Sequence, residues 1–150
     1  WILQKATELG VARILPVTSE RSEVKLDAQR ADKRLAHWRG IVVAACEQSG
    51  RATLPDVTAP QALAQAAGLR EGRGFILDPF AQASLSSVRD ASLRECTIAI
   101  GPEGGWSPRD REQLVAAGYE GLRLGPRVLR TETAGIAAIA ALQAACGDLG

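Results

Sequence analysis

The sequence predicts an α/β domain, a parallel sheet covered by helices on both faces. Short runs at Val11 to Thr18, Phe75 to Leu77 and Thr97 to Ile100 are predominantly apolar rather than alternating, the mark of strands buried on both sides. They alternate with helix-patterned stretches, giving the order strand, helix, strand, helix. A third observation places a ligand. Two glycine-proline turns, Ile100-Gly-Pro-Glu-Gly-Gly-Trp106 and Leu124-Gly-Pro-Arg-Val-Leu-Arg-Thr-Glu-Thr133, each lie between an apolar run and a helix start. Ligands in such sheets bind outside the carboxyl ends of the strands, so two such loops side by side can make one pocket.

Each element has a local reason. Trp1 to Gly10 carries apolar residues on one helical face, with Gly10 as the stop. Val11 to Thr18 reads as a strand and Leu26 to Gln48 as a long amphipathic helix ended by Gly50. Ala52 to Val57 reads as a short edge strand interrupted by Pro55. Gln61 to Ala67 is a brief helix, and Phe75 to Leu77 a strand running into Asp78-Pro79. Ala81 to Arg94 is loop with a helical turn. After Thr97 to Ile100, Ser107 suits a helix N-cap, Pro108 the first helical position and Asp110 the third, where a carboxylate reaches back to free N–H groups. That helix closes at Ala117-Gly118. Thr131 or Thr133 can cap the last helix, which continues through a run of small residues to Cys146.

Composition narrows the class. A chain of 150 residues with 46% hydrophobic content is one domain with enough apolar surface for its own core. No stretch approaches the roughly 20 apolar residues that span a bilayer, and no charged-then-apolar leader is present, so a soluble cytoplasmic protein is expected. Cys46, Cys96 and Cys146 are widely spaced without a CxxC, which indicates neither a disulfide framework nor a metal site. The net charge of +1 argues against binding nucleic acid through bulk electrostatics, although residues 1–51 hold nine Lys or Arg against six acids. Any RNA affinity is therefore local.

The first glycine-rich loop is not a P-loop, because no Gly-Lys-Ser/Thr follows, and it is not GxGxxG. Glu103 at its centre repels phosphate and suits a ligand with hydroxyls or a positive centre. In the second loop, Arg127 and Arg130 flank Val128-Leu129. The small-residue helix beyond it reads equally as a core helix or as a tight subunit interface or a helix threaded close to other backbone. A third cluster, Glu47-Gln-Ser-Gly-Arg51, is either a polar helix terminus or part of a site. His37 has no Asp or Ser partner in motif spacing and receives no catalytic role.

Gln4-Lys-Ala-Thr-Glu-Leu-Gly-Val11, Glu47-Gln-Ser-Gly-Arg51, Ile100-Gly-Pro-Glu-Gly-Gly105 and Leu124 to Thr133 together resemble the signature set of the RsmE-type 16S ribosomal RNA uridine N3-methyltransferases. Four motifs occur in the right order, from the first residues almost to the last. The resemblance implies the SPOUT superfamily fold, an α/β domain with a deep trefoil knot near its C-terminus, an exception to the rule against knots. It also implies S-adenosylmethionine as cofactor, 16S rRNA of the small ribosomal subunit as partner, and a homodimer with the active site near the subunit interface. Carried over by resemblance, the cofactor contacts are Leu77, Gly101, Glu103, Gly105, Leu124, Gly125, Leu129 and Arg130, largely through backbone groups, followed by Thr131 and Thr133. The family resembles a two-domain protein, so residues 1–150 are expected to be the catalytic domain, without an N-terminal RNA-binding barrel of the PUA type. Asp78-Pro79-Phe80 departs from the His-Glu associated with that strand end.

Methyl transfer to uridine N3 is an in-line displacement, so alignment and exclusion of water dominate. N3 carries a proton that must be removed, and a guanidinium beside the carbonyl oxygens stabilises the resulting anion. Arg130 or Arg51 is expected in that role, with Glu47 or Glu132 as the base. Two competing readings are a related SPOUT enzyme acting on tRNA ribose or a guanine, and a knotted dimer that binds RNA or cofactor without catalysis.

Overall fold

The computed structural model describes residues 1–22, 28–88 and 93–149. The chain begins with helix α1 (Ile2–Glu8), followed by Gly10 in the left-handed region at φ 86°. Two strands of two residues each come next, β1 (Arg13–Ile14) and β2 (Val17–Thr18). The single strand expected from Val11 to Thr18 is thus divided at Pro16, which has no N–H to donate and a fixed φ. Its partner is divided as well. β1 pairs in parallel with β3 (Asp56–Val57), and β2 pairs in parallel with β4 (Gln61–Ala62), with Pro60 just before β4. The Pro16 carbonyl still accepts from Gln61 N at 3.1 Å, so the interruption costs donors and leaves the acceptor in use.

Between these strands runs α2 (Ala28–Ser49); the expected start at Leu26 lies outside the described residues. Gly50 ends it at φ 74°, and Arg51 N donates to Cys46 O at 3.0 Å, a glycine-type helix stop. Val42 and Cys46 of α2 pack on Val57, with Leu3, Ile14 and Trp38 around them. The brief helix is α3 (Leu63–Gly68); Gln61 and Ala62, expected in it, are strand instead.

The centre of the domain is a three-stranded parallel sheet in the order β6-β5-β7, formed by β5 (Arg73–Leu77), β6 (Cys96–Ala99) and β7 (Tyr119–Leu122). Phe75 and Ile76 of β5 point to opposite faces by the period of a strand, and both are buried. Ile76 packs with Leu63, Trp106, Leu114 and Tyr119, the side covered by α3 and α4 (Pro108–Ala116). Phe75 packs with Val88, Leu93, Leu122 and Leu142, the side covered by α5 (Thr131–Cys146) and by a short 3-10 turn at Leu85–Val88. Both faces of a parallel sheet are covered, as the unbroken apolar runs require.

The sheet is not continuous among the described residues. Residues 12–15 and 95–100 line a common cavity of about 450 Å³ instead of exchanging a ladder, which leaves β6 half-buried along its whole length. At the far end of the chain, Gln143 Nε2 donates to Leu9 O at 2.9 Å and joins α5 to the end of α1. Among the described residues no helix is long and apolar enough to cross a membrane.

Candidate functional site

β5, β6 and β7 are parallel neighbours, so the three segments that leave their carboxyl ends emerge on one side: 78–80, 100–107 and 123–130. They enclose a cleft of about 560 Å³. This is the size of a small-molecule or cofactor site.

The first loop is held from several directions. Gly105 N donates to Pro102 O at 2.7 Å and closes a turn around Glu103 and Gly104. Arg21 Nη1 donates to Gly104 O at 2.7 Å from a distant part of the chain. At the start of α4, Ser107 Oγ accepts from Asp110 N at 3.1 Å while Asp110 Oδ2 accepts from Ser107 N at 3.2 Å, the reciprocal cap expected from the sequence. Both residues are buried, and Asp110 also accepts from Glu20 N. Gly101 lies against Trp106: a Cβ on Gly101 would come within 3.3 Å of the indole Nε1. That N–H is buried and has no acceptor among the described residues, beside the cleft Trp106 lines.

The second loop starts its helix differently. The N-cap of α5 is Arg130, with no side-chain capping bond among the described residues. Neither Thr131 nor Thr133 caps it. Thr131 is the first helical residue, and its Oγ1 donates across the cleft floor to Gly101 O at 3.0 Å, tying the two loops together. The threonine hydroxyl is spent on the other loop, so no side chain occupies the first-turn N–H groups. Gly135, one turn on, is buried where a Cβ would collide with Ile100 Cδ1 at 2.7 Å, which allows α5 to approach the first loop closely.

Of the residues expected from the sequence, Leu77, Gly101, Glu103, Gly105, Leu124, Leu129, Arg130, Thr131 and Glu132 line this cleft. Gly125 belongs to the same loop, at φ 91°, without lining it. Thr133 is exposed in the first turn of α5 and stands outside the lining. Glu47 and Arg51 are not brought to it within this chain. Glu47 is exposed near the end of α2, and Arg51 Nη1 donates to Thr7 O at 2.8 Å and Val11 O at 3.0 Å, serving the carbonyl end of α1.

The sequence reading missed one pair. Arg111 of α4 donates to Asp78 Oδ2 at 2.6 Å, and both line the cleft. Burial by itself raises the carboxyl pKa. The Arg111 hydrogen bond, the Phe80 N–H and the Arg111 charge outweigh it and hold Asp78 below the ordinary carboxylate range. An Asp immediately before a Pro is a turn signal; its partner 33 residues away has no local signature.

A parallel α/β sheet with a glycine-built cleft at its carboxyl ends defines an α/β domain with a candidate ligand site at the strand ends. The chain belongs to the family described as RNA methyltransferase domain, whose model matches residues 1–143. It is 36% identical to Ribosomal RNA small subunit methyltransferase E of Bacillus subtilis, over 95% of this chain and 59% of that protein. A crystal structure of the enzyme of the same name from Neisseria gonorrhoeae, bound to S-adenosyl methionine, superposes with a TM-score of 0.91 at 44% identity, over 99% of this chain and 62% of the other. A putative methyltransferase from Legionella pneumophila, in complex with the cofactor SAM, superposes with a TM-score of 0.92 at 40% identity, over 99% and 61%. The chain therefore spans about 60% of the length of these relatives.

Proposed function

We propose that residues 1–150 form the catalytic domain of an S-adenosylmethionine-dependent methyltransferase acting on N3 of a uridine in 16S rRNA. The observation that carries this reading is the cleft itself, built where three strand ends meet from the two glycine-proline loops of the family. The residues present fit the cofactor. Gly105 is in the left-handed region at φ 69°, and a Cβ there would meet no protein atom, so the backbone faces open space. Leu77, Ile100, Leu124 and Leu129 supply apolar walls for a purine, and the unpaired Trp106 Nε1–H offers a donor. Glu103 suits a positive centre, and the uncapped first turn of α5 suits a carboxylate. When bound, the cofactor supplies an electrophilic methyl group.

The chain's own residues then align and deprotonate the base. Glu132, at the first turn of α5 and in the cleft lining, is the base that takes the N3 proton. Arg130 beside it stabilises the negative charge that spreads to the uridine carbonyl oxygens. Arg51 is engaged with the Thr7 and Val11 carbonyls, so this role falls to Arg130. The target uridine is turned out of its stack, because N3 faces the partner base in a duplex.

The same reading includes a trefoil knot and a homodimer in the cytoplasm. For the knot, support comes from the connection between β5 and β6. Its first part lies along the end of β7, where Arg123 N donates to Ala83 O at 2.9 Å. Its later part, Val88 and Leu93, packs on Leu142 of α5. The described ends of the connection thus meet β7 and α5, the two elements that the second loop joins. For the dimer, α5 leaves Ile136, Ala137, Ala140 and Ala141 only half-buried, and Trp1 and Ile2 are exposed at the start of α1, which packs against α5.

Titration calorimetry with S-adenosylmethionine, with ATP and NAD as controls, tests the cleft. Mass spectrometry of 16S rRNA after reaction with small subunits tests the chemistry. Saturable binding of S-adenosylmethionine alone and a methyl group on N3 of a uridine are expected. A methyl on ribose or guanine overturns the N3 assignment, and cofactor binding without turnover by the full-length protein reduces the reading to a binding module.

A further inference from the structure

The two most exposed large apolar side chains among the described residues are Phe80, at 82%, and Val128, at 75%. Val128 lines the cleft, and Phe80 directly follows Pro79, which also lines it. Phe80 is presented rigidly. Ala81 N donates to Asp78 O at 3.2 Å, which closes a turn with Pro79 and Phe80 at its centre. Asp78 Oδ1 accepts from Phe80 N at 3.0 Å, and Arg111 fixes the same carboxylate from α4. This turn lies directly against β7: Asp78 N donates to Leu122 O at 3.0 Å, and residue 84 bridges residue 123 in parallel.

The charge of the adjoining second loop is one-sided. Residues 121–130 carry Arg123, Arg127 and Arg130 and no acid, and all three arginines are exposed. None of them meets a carboxylate among the described residues. Residues 79–88 carry no charge at all, and Asp78 is already paired. An exposed aromatic ring on a hydrogen-bonded turn, next to a loop whose three exposed arginines meet no carboxylate among the described residues, is complementary to a single-stranded nucleic acid. Bases stack on the ring and phosphates meet the cations.

We propose that Phe80 is the stacking platform for a base of the RNA substrate at or next to the target uridine, with Arg123 and Arg127 holding the flanking phosphates. This rests on the RNA methyltransferase reading and adds to it the surface and residue by which this chain grips its RNA. Stacking of this kind favours unpaired nucleotides, the state in which N3 is reachable.

The test is fluorescence anisotropy of the S-adenosylmethionine-loaded protein with a labelled single-stranded RNA carrying one uridine, comparing wild type, Phe80→Ala, Phe80→Trp and Arg127→Ala. Phe80→Ala is expected to weaken RNA binding by roughly 5- to 150-fold, the effect of losing one base stack. Phe80→Trp restores binding, and cofactor affinity is unchanged in both. Arg127→Ala should reduce the salt slope by about 0.7, the release from one phosphate of a single strand. Wild-type RNA affinity in Phe80→Ala overturns the proposal alone. Loss of dimer sedimentation in Phe80→Ala, with RNA affinity intact, overturns it in favour of a second copy of the chain. Failure of the wild type to bind RNA while it binds S-adenosylmethionine overturns the RNA reading together with it.

Discussion

The two glycine-proline loops look alike in sequence and start their helices in opposite ways. At α4 the first-turn donors are satisfied internally by Ser107 and Asp110, both buried, and Asp110 also holds Glu20. At α5 the cap position is Arg130, without a side-chain bond among the described residues, and the nearest hydroxyl, Thr131 Oγ1, is directed to the Gly101 carbonyl instead. One helix start is closed by its own sequence. The other keeps its donors and its positive end for something else. Local stability and ligand affinity are therefore expected to separate between the loops.

The largest effects fall on the open start. Replacing Glu132 with Gln should lower kcat in the full-length enzyme by about 10²- to 10⁴-fold, the usual contribution of a positioned base. Replacing Arg130 with Ala should lower it by about 10²- to 10³-fold, as for loss of one anion-stabilising donor. Single-turnover rates measure both, and thermal unfolding should be almost unchanged. A normal rate in both variants would remove Arg130 and Glu132 from the chemistry.

Gly105→Ala probes the junction between the loops. Its φ of 69° costs a side chain roughly 1–2 kcal/mol. The added Cβ meets no protein atom, at a residue that lines the cleft. Both stability and S-adenosylmethionine affinity should fall, as calorimetry and urea unfolding would report. A loss of stability with unchanged cofactor affinity would place the cofactor away from this glycine.

Ser107→Ala is the converse of the Arg130 substitution. It removes one cap and should cost about 1 kcal/mol of stability in urea unfolding. Cofactor affinity should not move. Equal damage to both quantities would show that the closed helix start is as much part of the site as the open one.

The difference between the loops also shows what a sequence makes legible. Ser107, Pro108 and Asp110 act within one helical turn, so their cap could be read directly, as could the stops at Gly10 and Gly50. The apolar strands disclosed the parallel sheet with both faces covered, because burial is written in composition. Interactions that span the chain left no local sign. Arg51 reaches carbonyls 44 and 40 residues away, so its polar cluster reads first as a helix end and second as a site. Threonines beside a helix start look like caps until the competing acceptor, the Gly101 carbonyl 30 residues earlier, is brought near. Pro16 was visible, yet its division of a strand depended on a partner strand with Pro60 opposite. Most of the expected cleft residues came through the family motifs, and Asp78 with Arg111 fell outside them.

The smallest expected effect belongs to that pair, and it is a pH effect. Burial favours the neutral acid in Asp78, but the Arg111 guanidinium and the Phe80 N–H favour the carboxylate more, so the folded pKa lies below the unfolded one. A lowered folded pKa stabilises the fold fully above the unfolded value of about 3.9, and the contribution is lost as pH falls through the folded value beneath it. The Arg111 side chain is 41% exposed, so solvent screens the pair and keeps its contribution small. Asn at position 78 retains an acceptor for Phe80 N while removing the charge from Arg111. Urea unfolding should therefore show wild type and Asp78→Asn differing by a constant amount near neutral pH, with the difference shrinking below about pH 4. Parallel curves down to the acid transition would mean that the pair orients Arg111 and the Phe80 turn without contributing to the stability of the fold.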